Sequence, residues 1–254
     1  MLELRNVCKW FGGLPALQDV SFCMEPGQVT ALIGPNGAGK STLINCISGV
    51  DRAQSGSICL AHHPIGALPA HKIAALGVAR TFQNLKLFTR LSVLDNVLTG
   101  LTVASKRSFT VSMLRLPALR HLERQLRLRA LEALDDFGLA KKANWLASSL
   151  SYGEKKRVEM ARAFVSDPRL VLLDEPVAGL NTEETAQIAR HIRRQRNAGH
   201  TMLLVEHDME LVMDVADQVV VLDSGRCIAC GKPEVVRSNP MVLEAYLGRM
   251  EATA

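Results

Sequence analysis

The sequence predicts an α/β protein in which strands and helices alternate around a sheet, with a mainly helical lobe inserted into that body. Three observations carry this reading. Short apolar runs of strand length alternate with segments of helical period along most of the chain. A glycine-rich loop joins one such strand directly to a helix. From about Leu101 to Leu150 the strand signal stops and leucines recur at helical spacing.

In chain order, Val20, Phe22 and Met24 alternate as in a half-buried strand, and Glu25-Pro26-Gly27 turns the chain. Val29 to Ile33 is a short apolar strand that runs into the glycine-rich loop. Leu43, Ile44 and Ile47 then mark one face of a helix that Gly49 ends. Val78 to Phe82 reads as another short strand. Ser92 with Asp95 has the form of a capping box opening a helix. Within the helical stretch, Leu119, Leu122, Leu126, Leu131, Leu134 and Phe137 keep helical spacing up to a stop at Gly138. Lys106, Arg107, Arg115, Arg120, Arg124, Arg127 and Arg129 make this stretch basic. That basic face reads as solvated surface, with anionic lipid head groups as the sharper alternative. Leu170 to Leu173 is a fully apolar strand, and Asn181 with Glu184 caps a helix that Gly199 ends. Thr201 to Val205 and Val219 to Leu222 are strands, Asp223-Ser224-Gly225 turns toward Cys227 to Ala229, and Pro240 to Tyr246 is helical.

Composition bounds the function. A chain of 254 residues with 48% hydrophobic residues suits one large domain with a sizeable core. Only 4% are aromatic, which disfavours a base-stacking binder of single-stranded nucleic acid. The net charge of +5 reads as scattered Lys and Arg on solvated faces. No apolar run approaches the ~18 residues of a membrane span, and the N-terminus lacks the form of a signal peptide. A cytoplasmic protein is expected. Cys8, Cys23, Cys46 and Cys59 are dispersed in apolar contexts. Cys227 and Cys230 form one C-x-x-C with no second ligand pair, so buried, reduced thiols are expected.

Two motifs carry chemistry. Gly34-Pro35-Asn36-Gly37-Ala38-Gly39-Lys40-Ser41 matches the phosphate-binding loop G-x-x-x-x-G-K-[ST] in its strand–loop–helix context. Glycines let backbone N–H groups converge on phosphates, and the following helix offers its positive end. Lys40 can reach the β- and γ-phosphates, and the Ser41 hydroxyl can ligate magnesium. The second motif is the apolar strand ending in Asp174-Glu175. Two adjacent carboxylates at a strand end are costly unless a cation waits there. Beside a phosphate loop that cation is magnesium. Asp174 is placed to hold it through water, and Glu175 to orient or deprotonate an attacking water.

With these motifs, the chain resembles the nucleotide-binding domains of ABC transporters over nearly its whole length. Leu150-Ser151-Tyr152-Gly153-Glu154 is similar to the family's signature segment, Gln83 to its Q-loop glutamine, and His207 to its switch histidine. Phe11, before Gly12-Gly13, stands where the family places a ring against adenine, and Ala178-Gly179-Leu180-Asn181 stands at its D-loop. The resemblance implies a P-loop NTPase core with a mixed sheet, an N-terminal antiparallel β region and an inserted helical subdomain. It implies one domain over 1–254, with 1–86 and 165–254 as the core and about 87–164 as the lobe. It also implies ATP and Mg2+ as cofactors. Gly34 to Ser41 with Thr42 and Phe11 would bind the nucleotide. Ser41, Gln83 and Asp174 would surround magnesium. Glu175, His207 and Gln83 would serve hydrolysis. Ser151 to Glu154 would face the γ-phosphate held by another subunit.

Two departures stand out: the usual signature Ser-Gly-Gly-Gln is here Ser-Tyr-Gly-Glu, and the D-loop ends in Asn181 where Asp is usual. Ser151 and Glu154 also form a capping-box pattern, so Glu154 is expected to turn back on its own helix. The tyrosine, the run Arg80-Thr81-Phe82-Gln83-Asn84, Glu206-His207-Asp208-Met209 and the ending Asn239-Pro240 with Glu244 to Gly248 resemble one subgroup. It is the longer ATPase of bacterial branched-chain amino acid importers. This implies a peripheral protein on the cytoplasmic membrane face. Its expected partners are two permease subunits, a second and different ATPase chain (or its own copy in isolation) and, indirectly, a solute-binding protein. No nucleic acid partner is expected. The alternatives are the ATPase of a lipopolysaccharide exporter, with the same chemistry, and a DNA-handling clamp ATPase, whose long coiled coils have no counterpart in heptads here.

Overall fold

The structure is a computed structural model and describes residues 1–83, 85–101 and 117–247. Two sheets pack around the phosphate-loop helix. The first is antiparallel, in the order β2-β1-β4-β5, from β1 (Leu2–Phe11), β2 (Leu14–Met24), β4 (Ser55–Leu60) and the two-residue β5 (His63–Pro64). Val20, Phe22 and Met24 of β2 are buried between the sheets, as their alternation predicts.

The second sheet is mixed and runs β10-β9-β3-β8-β7-β6. Its strands are β3 (Val29–Ile33), β6 (Val78–Arg80), β7 (Leu170–Asp174), β8 (Thr201–Val205), β9 (Gln218–Asp223) and β10 (Arg226–Gly231). Five run parallel, and only β10 pairs antiparallel, on β9. Every residue of β3, β7 and β8 is buried, which is why these strands read as unbroken apolar runs. The architecture agrees with the predicted fold class.

The helices are α1 (Lys40–Ser48), α2 (Ala70–Ala75), α3 (Val93–Leu98), α4 (Pro117–Asp136), α5 (Tyr152–Phe164), α6 (Thr182–Asn197), α7 (Met209–Val215), α8 (Pro233–Arg237) and α9 (Pro240–Leu247). One core buries α1 between the two sheets, with Leu43, Ile44 and Ile47 turned inward. A second core joins α3, α4, α5 and α6 to the opposite face of the mixed sheet, with Phe137 fully buried in it. The helical segment is therefore welded to the body.

The structure corrects several expectations. The strand read to Phe82 ends at Arg80: Thr81 still donates its N–H to the Leu172 carbonyl, but the chain then leaves the sheet and Phe82 is exposed. Of the predicted leucines described in α4, Leu134 is fully buried, Leu126 and Leu131 are partly so, and Leu122 faces solvent, because the first half of the helix extends past the core. The Leu119 side chain, Lys106, Arg107, Arg115 and Asn84 lie outside what is described. Among the cysteines, Cys8 and Cys46 are buried, but Cys23 and Cys230 are exposed. Cys23 sits on an outward position of the alternating strand β2, and Cys230 on β10, an edge strand with no fully buried residue. All six are free thiols. No helix among the described residues is long and apolar enough to cross a membrane.

Candidate functional site: a phosphate loop facing two strand-end carboxylates

Register brings the motifs to one sheet edge. Leu32 of β3 lies beside Val205 of β8, which lies beside Asp174 of β7. The next residues on these strands are Ile33, Glu206 and Glu175. The glycine-rich loop, His207 and the acid pair therefore leave the same end of adjacent parallel strands, where such sheets bind ligands.

The loop from Gly34 to Gly39 requires its glycines. Gly34 has φ 145, and a Cβ there would lie 2.0 Å from the Leu222 carbonyl oxygen. Gly39 has φ 100, caps α1 in the left-handed region, and a Cβ would meet the Ala16 oxygen at 2.6 Å. Lys40 folds back into the loop and donates to the Gly34 and Pro35 carbonyls at 2.6 and 3.0 Å. Pro35, Asn36, Gly37 and Ala38 form the bend, with Asn36 and Gly37 exposed and Ala38 buried. Ser41 is exposed and Thr42 half-buried in the first turn of α1. Phe11 ends β1 with its ring 49% exposed, and the Lys9 ammonium lies 4.8 Å from the ring centroid.

Asp174 is buried. Its Oδ2 accepts from Arg80 Nη2 at 3.0 Å, leaving Oδ1 for a water or a cation. Arg80 also donates to Asn45 Oδ1 and Ser48 Oγ of α1, so one guanidinium ties the phosphate-loop helix to the strand-end acid. Glu175 has φ 48, which is uncommon for a residue with a side chain. Its N–H donates to the Val205 carbonyl, and its Oε2 accepts from Gln83 Nε2 at 3.0 Å. Gln83 and Glu175 thus meet although 92 positions separate them. The His207 side chain is 67% exposed, and the backbone N–H of His207 donates to the Oε2 of the fully buried Glu206. Burial pushes the Glu206 carboxyl above its ordinary range, opposed by the amides of Val177 and His207.

Ser151 caps α5 with both halves of a capping box: its Oγ accepts from the Glu154 N–H, and Glu154 Oε2 accepts from the Ser151 N–H. Glu154 Oε1 pairs with Lys142. Burial pushes its carboxyl up, but Lys142, the Ser151 amide and Arg157 outweigh that and hold it below the usual range. The expected turn of Glu154 onto its own helix is present. Ser151 and Tyr152 are exposed, whereas Gly153 is buried against the Glu184 carboxylate, where a Cβ would lie 2.4 Å from Oε1. Glu184 belongs to a second complete capping box, with Asn181 at the start of α6. The Tyr152 ring packs beside Gly179.

Sequence reasoning did not single out Arg80 or Lys156 as site residues. Lys156 had a signal: with Gly153, Met160 and Ala163 it occupies the buried stripe of α5, where a charge needs a partner. Arg80 had none, since its partners come from two distant segments, α1 and the end of β7.

Residues 17–178 match the family model described as ABC transporter, and residues 226–252 match that described as branched-chain amino acid ATP-binding cassette transporter. The chain is 41% identical over 249 residues to the high-affinity branched-chain amino acid transport ATP-binding protein BraF of Pseudomonas aeruginosa, covering 98% of both chains. It is 40% identical to LivG of Escherichia coli, again over 98% of both. The lipopolysaccharide export system ATP-binding protein LptB of Haemophilus influenzae is 31% identical over 98% of this chain and 97% of its own. The ADP conformation of MJ1267, an ATP-binding cassette of an ABC transporter, superposes with TM-score 0.84 at 31% identity, covering 98% of each chain. The post-hydrolysis dimer of the cassette MJ0796, bound to ADP and Pi, gives TM-score 0.77 at 25% identity over 92% of this chain and 99% of that one. With motif order, strand register and these likenesses in agreement, the chain belongs to the ABC transporter family, as one of its ATP-binding and ATP-hydrolysing subunits.

Proposed function

We propose that this chain energises a membrane importer of branched-chain amino acids or related small solutes from the cytoplasmic face. The observation that carries this is its 41% identity to BraF across 98% of both chains. Lipopolysaccharide export is the weaker reading, at 31% identity to LptB. Nothing favours a DNA-handling clamp.

In this reading Phe11 stacks on adenine, and Gly34 to Thr42 cradle the phosphates with Lys40 turned outward from its loop carbonyls. Ser41, Gln83 and Asp174 offer hard oxygen ligands of the kind magnesium takes, and the ion when bound offsets charge on the β- and γ-phosphates. The residues present fit such an ion, since Arg80 engages only Oδ2 of Asp174. Glu175 accepts a proton from the attacking water, Gln83 orients both, and His207 reaches the γ-phosphate. Ser151, Tyr152 and Gly153, on the helix start that Glu154 caps, face nucleotide held by a second ATPase subunit, most naturally a sibling chain, so two chains close around two ATPs. The body (1–86 and 165–254) and lobe (about 87–164) form a groove lined by Val50, Arg80, Phe82, Lys86 and Phe88, of about 440 Å³, that suits a permease segment.

Tagging the chain in its native membrane, solubilising it gently and identifying what accompanies it tests this. The expected result is two hydrophobic permease chains and a shorter ATPase, with hydrolysis stimulated by an amino-acid-loaded binding protein. Recovery alone, or with nucleic-acid enzymes, would overturn the transport reading.

A further inference from the structure

Lys156 is a charge in a place that excludes charge. It lies one turn past the Ser151 cap, on the inner face of α5, and is 2% exposed. Lysine is almost never buried so completely without a partner. Its ammonium donates to the backbone carbonyl of Glu175 at 3.0 Å. The ring of Tyr152 lies 5.9 Å from the same ammonium. The carboxylates of Glu159, Glu206, Glu175 and Asp174 surround it and support its charge against burial. Glu159 and Glu206 are themselves buried and engaged: Glu159 accepts from the Phe82 N–H and pairs with Arg162, and Glu206 accepts from the Val177 N–H.

The carbonyl that Lys156 holds belongs to a strained residue. Glu175 sits at φ 48, a conformation that costs a side-chain-bearing residue on the order of 1 kcal/mol or more and persists only where surroundings enforce it. Its N–H is tied to Val205 of β8. Its carbonyl accepts from Lys156 of α5 and from the Ala178 N–H. The residue is held through both its N–H and its carbonyl, which fixes the backbone from which the carboxylate projects.

We propose that Lys156 is a positioning residue that sets the orientation of Glu175 and ties it rigidly to the signature helix. The capped start of α5 and the Lys156 side chain belong to one short rigid helix. A displacement of Ser151 toward the partner's nucleotide therefore moves the hydrogen bond on Glu175 in the same chain. One ATP site thereby sets the base of the other. This deepens the proposed function and rests on its reading of Glu175 as the base and of Ser151 to Glu154 as the partner-facing segment.

The test is a double-mutant cycle on the full chain, in the assembly in which it purifies from its membrane. Lys156→Met, of similar length but without a donor, is expected to lower kcat at least ~10-fold while KM and the affinity for a fluorescent ATP analogue stay within ~3-fold. Lys156→Arg should restore kcat to within ~3-fold of the parent. In a Glu175→Gln background, Lys156→Met should have no further effect, because its action passes through Glu175. Unaltered kcat in Lys156→Met, a loss explained wholly by ATP affinity, or an equal further loss in the Glu175→Gln background would overturn the proposal. Should the methionine variant not melt cooperatively, Lys156→Gln, too short to hold the carbonyl in the same way, takes its place in the cycle. Failure of the underlying reading looks different: Glu175→Gln would itself retain a tenth or more of the activity, whatever Lys156 does.

Discussion

Glu175 and Asp174 are neighbours in sequence with different surroundings. Asp174 is buried, and the Arg80 guanidinium holds its Oδ2 in place. Glu175 is half-buried and accepts from the Gln83 side-chain amide. Replacing Glu175 by Gln keeps the size, the Gln83 contact and the backbone clamp but removes the basic oxygen. ATP should still bind, and single-turnover hydrolysis should fall ~100-fold or more, the loss expected for a positioned general base. A variant that keeps a tenth or more of the activity would remove Glu175 from that role. Both acids were legible in the sequence, because two carboxylates ending an apolar strand demand a reason. The groups that hold them were not, because Arg80, Gln83 and Lys156 reach them from 19 to 94 positions away.

At the scale of elements, two capping boxes stand against each other. Those of α5 and α6 meet where Gly153 packs on Glu184. Glutamine can complete a capping box as glutamate does. Glu154→Gln should therefore leave α5 capped and lose only the partly exposed pair with Lys142, costing roughly 0.5 kcal/mol in urea denaturation. ATP-driven dimerisation should change by no more than ~2-fold, since the carboxylate is already spent on its own helix. Several-fold tighter dimerisation with unchanged stability would mean that Glu154 acts on the phosphates instead. Helix starts at Ser92, Ser151 and Asn181 were readable because caps are local chemistry. The end of β6 and the exposure of Leu122 were not, because neighbouring segments decide where a strand leaves a sheet and which leucine finds a core.

For the molecule as a whole, the seam between helical lobe and sheet body carries a titratable group. His191 of α6 lies with its ring centroid 4.9 Å from that of Phe137, in the core that joins the two. Burial, helped by Arg157, Arg194 and Arg190, lowers its pKa from 6.5 to about 4, against a hydrogen bond with the Asp136 backbone. The folded chain thus holds His191 neutral, while the unfolded chain binds a proton below pH 6.5. Stability should fall as pH drops from 6.5 towards 4, by on the order of 2 kcal/mol from this group, and should not change through it above that range. Subtracting the pH profile of His191→Gln from that of the parent, in urea denaturation, isolates this contribution. A flat difference would mean that the ring is solvated in the fold.

The sequence by itself determined the α/β class, the phosphate loop, the strand-end acids and the capped helices. Each is written in contiguous residues through periodicity, glycine stereochemistry or short-range hydrogen bonding. Only the tertiary structure decided that Arg80 grips Asp174, that Gln83 meets Glu175, and that Lys156 of α5 donates to the backbone carbonyl of Glu175. Those contacts arise from the order of parallel strands and the docking of the lobe on the sheet. Hydrogen bonds across such separations leave no local pattern to read, only a buried charge on a helix face whose partner the sequence does not name.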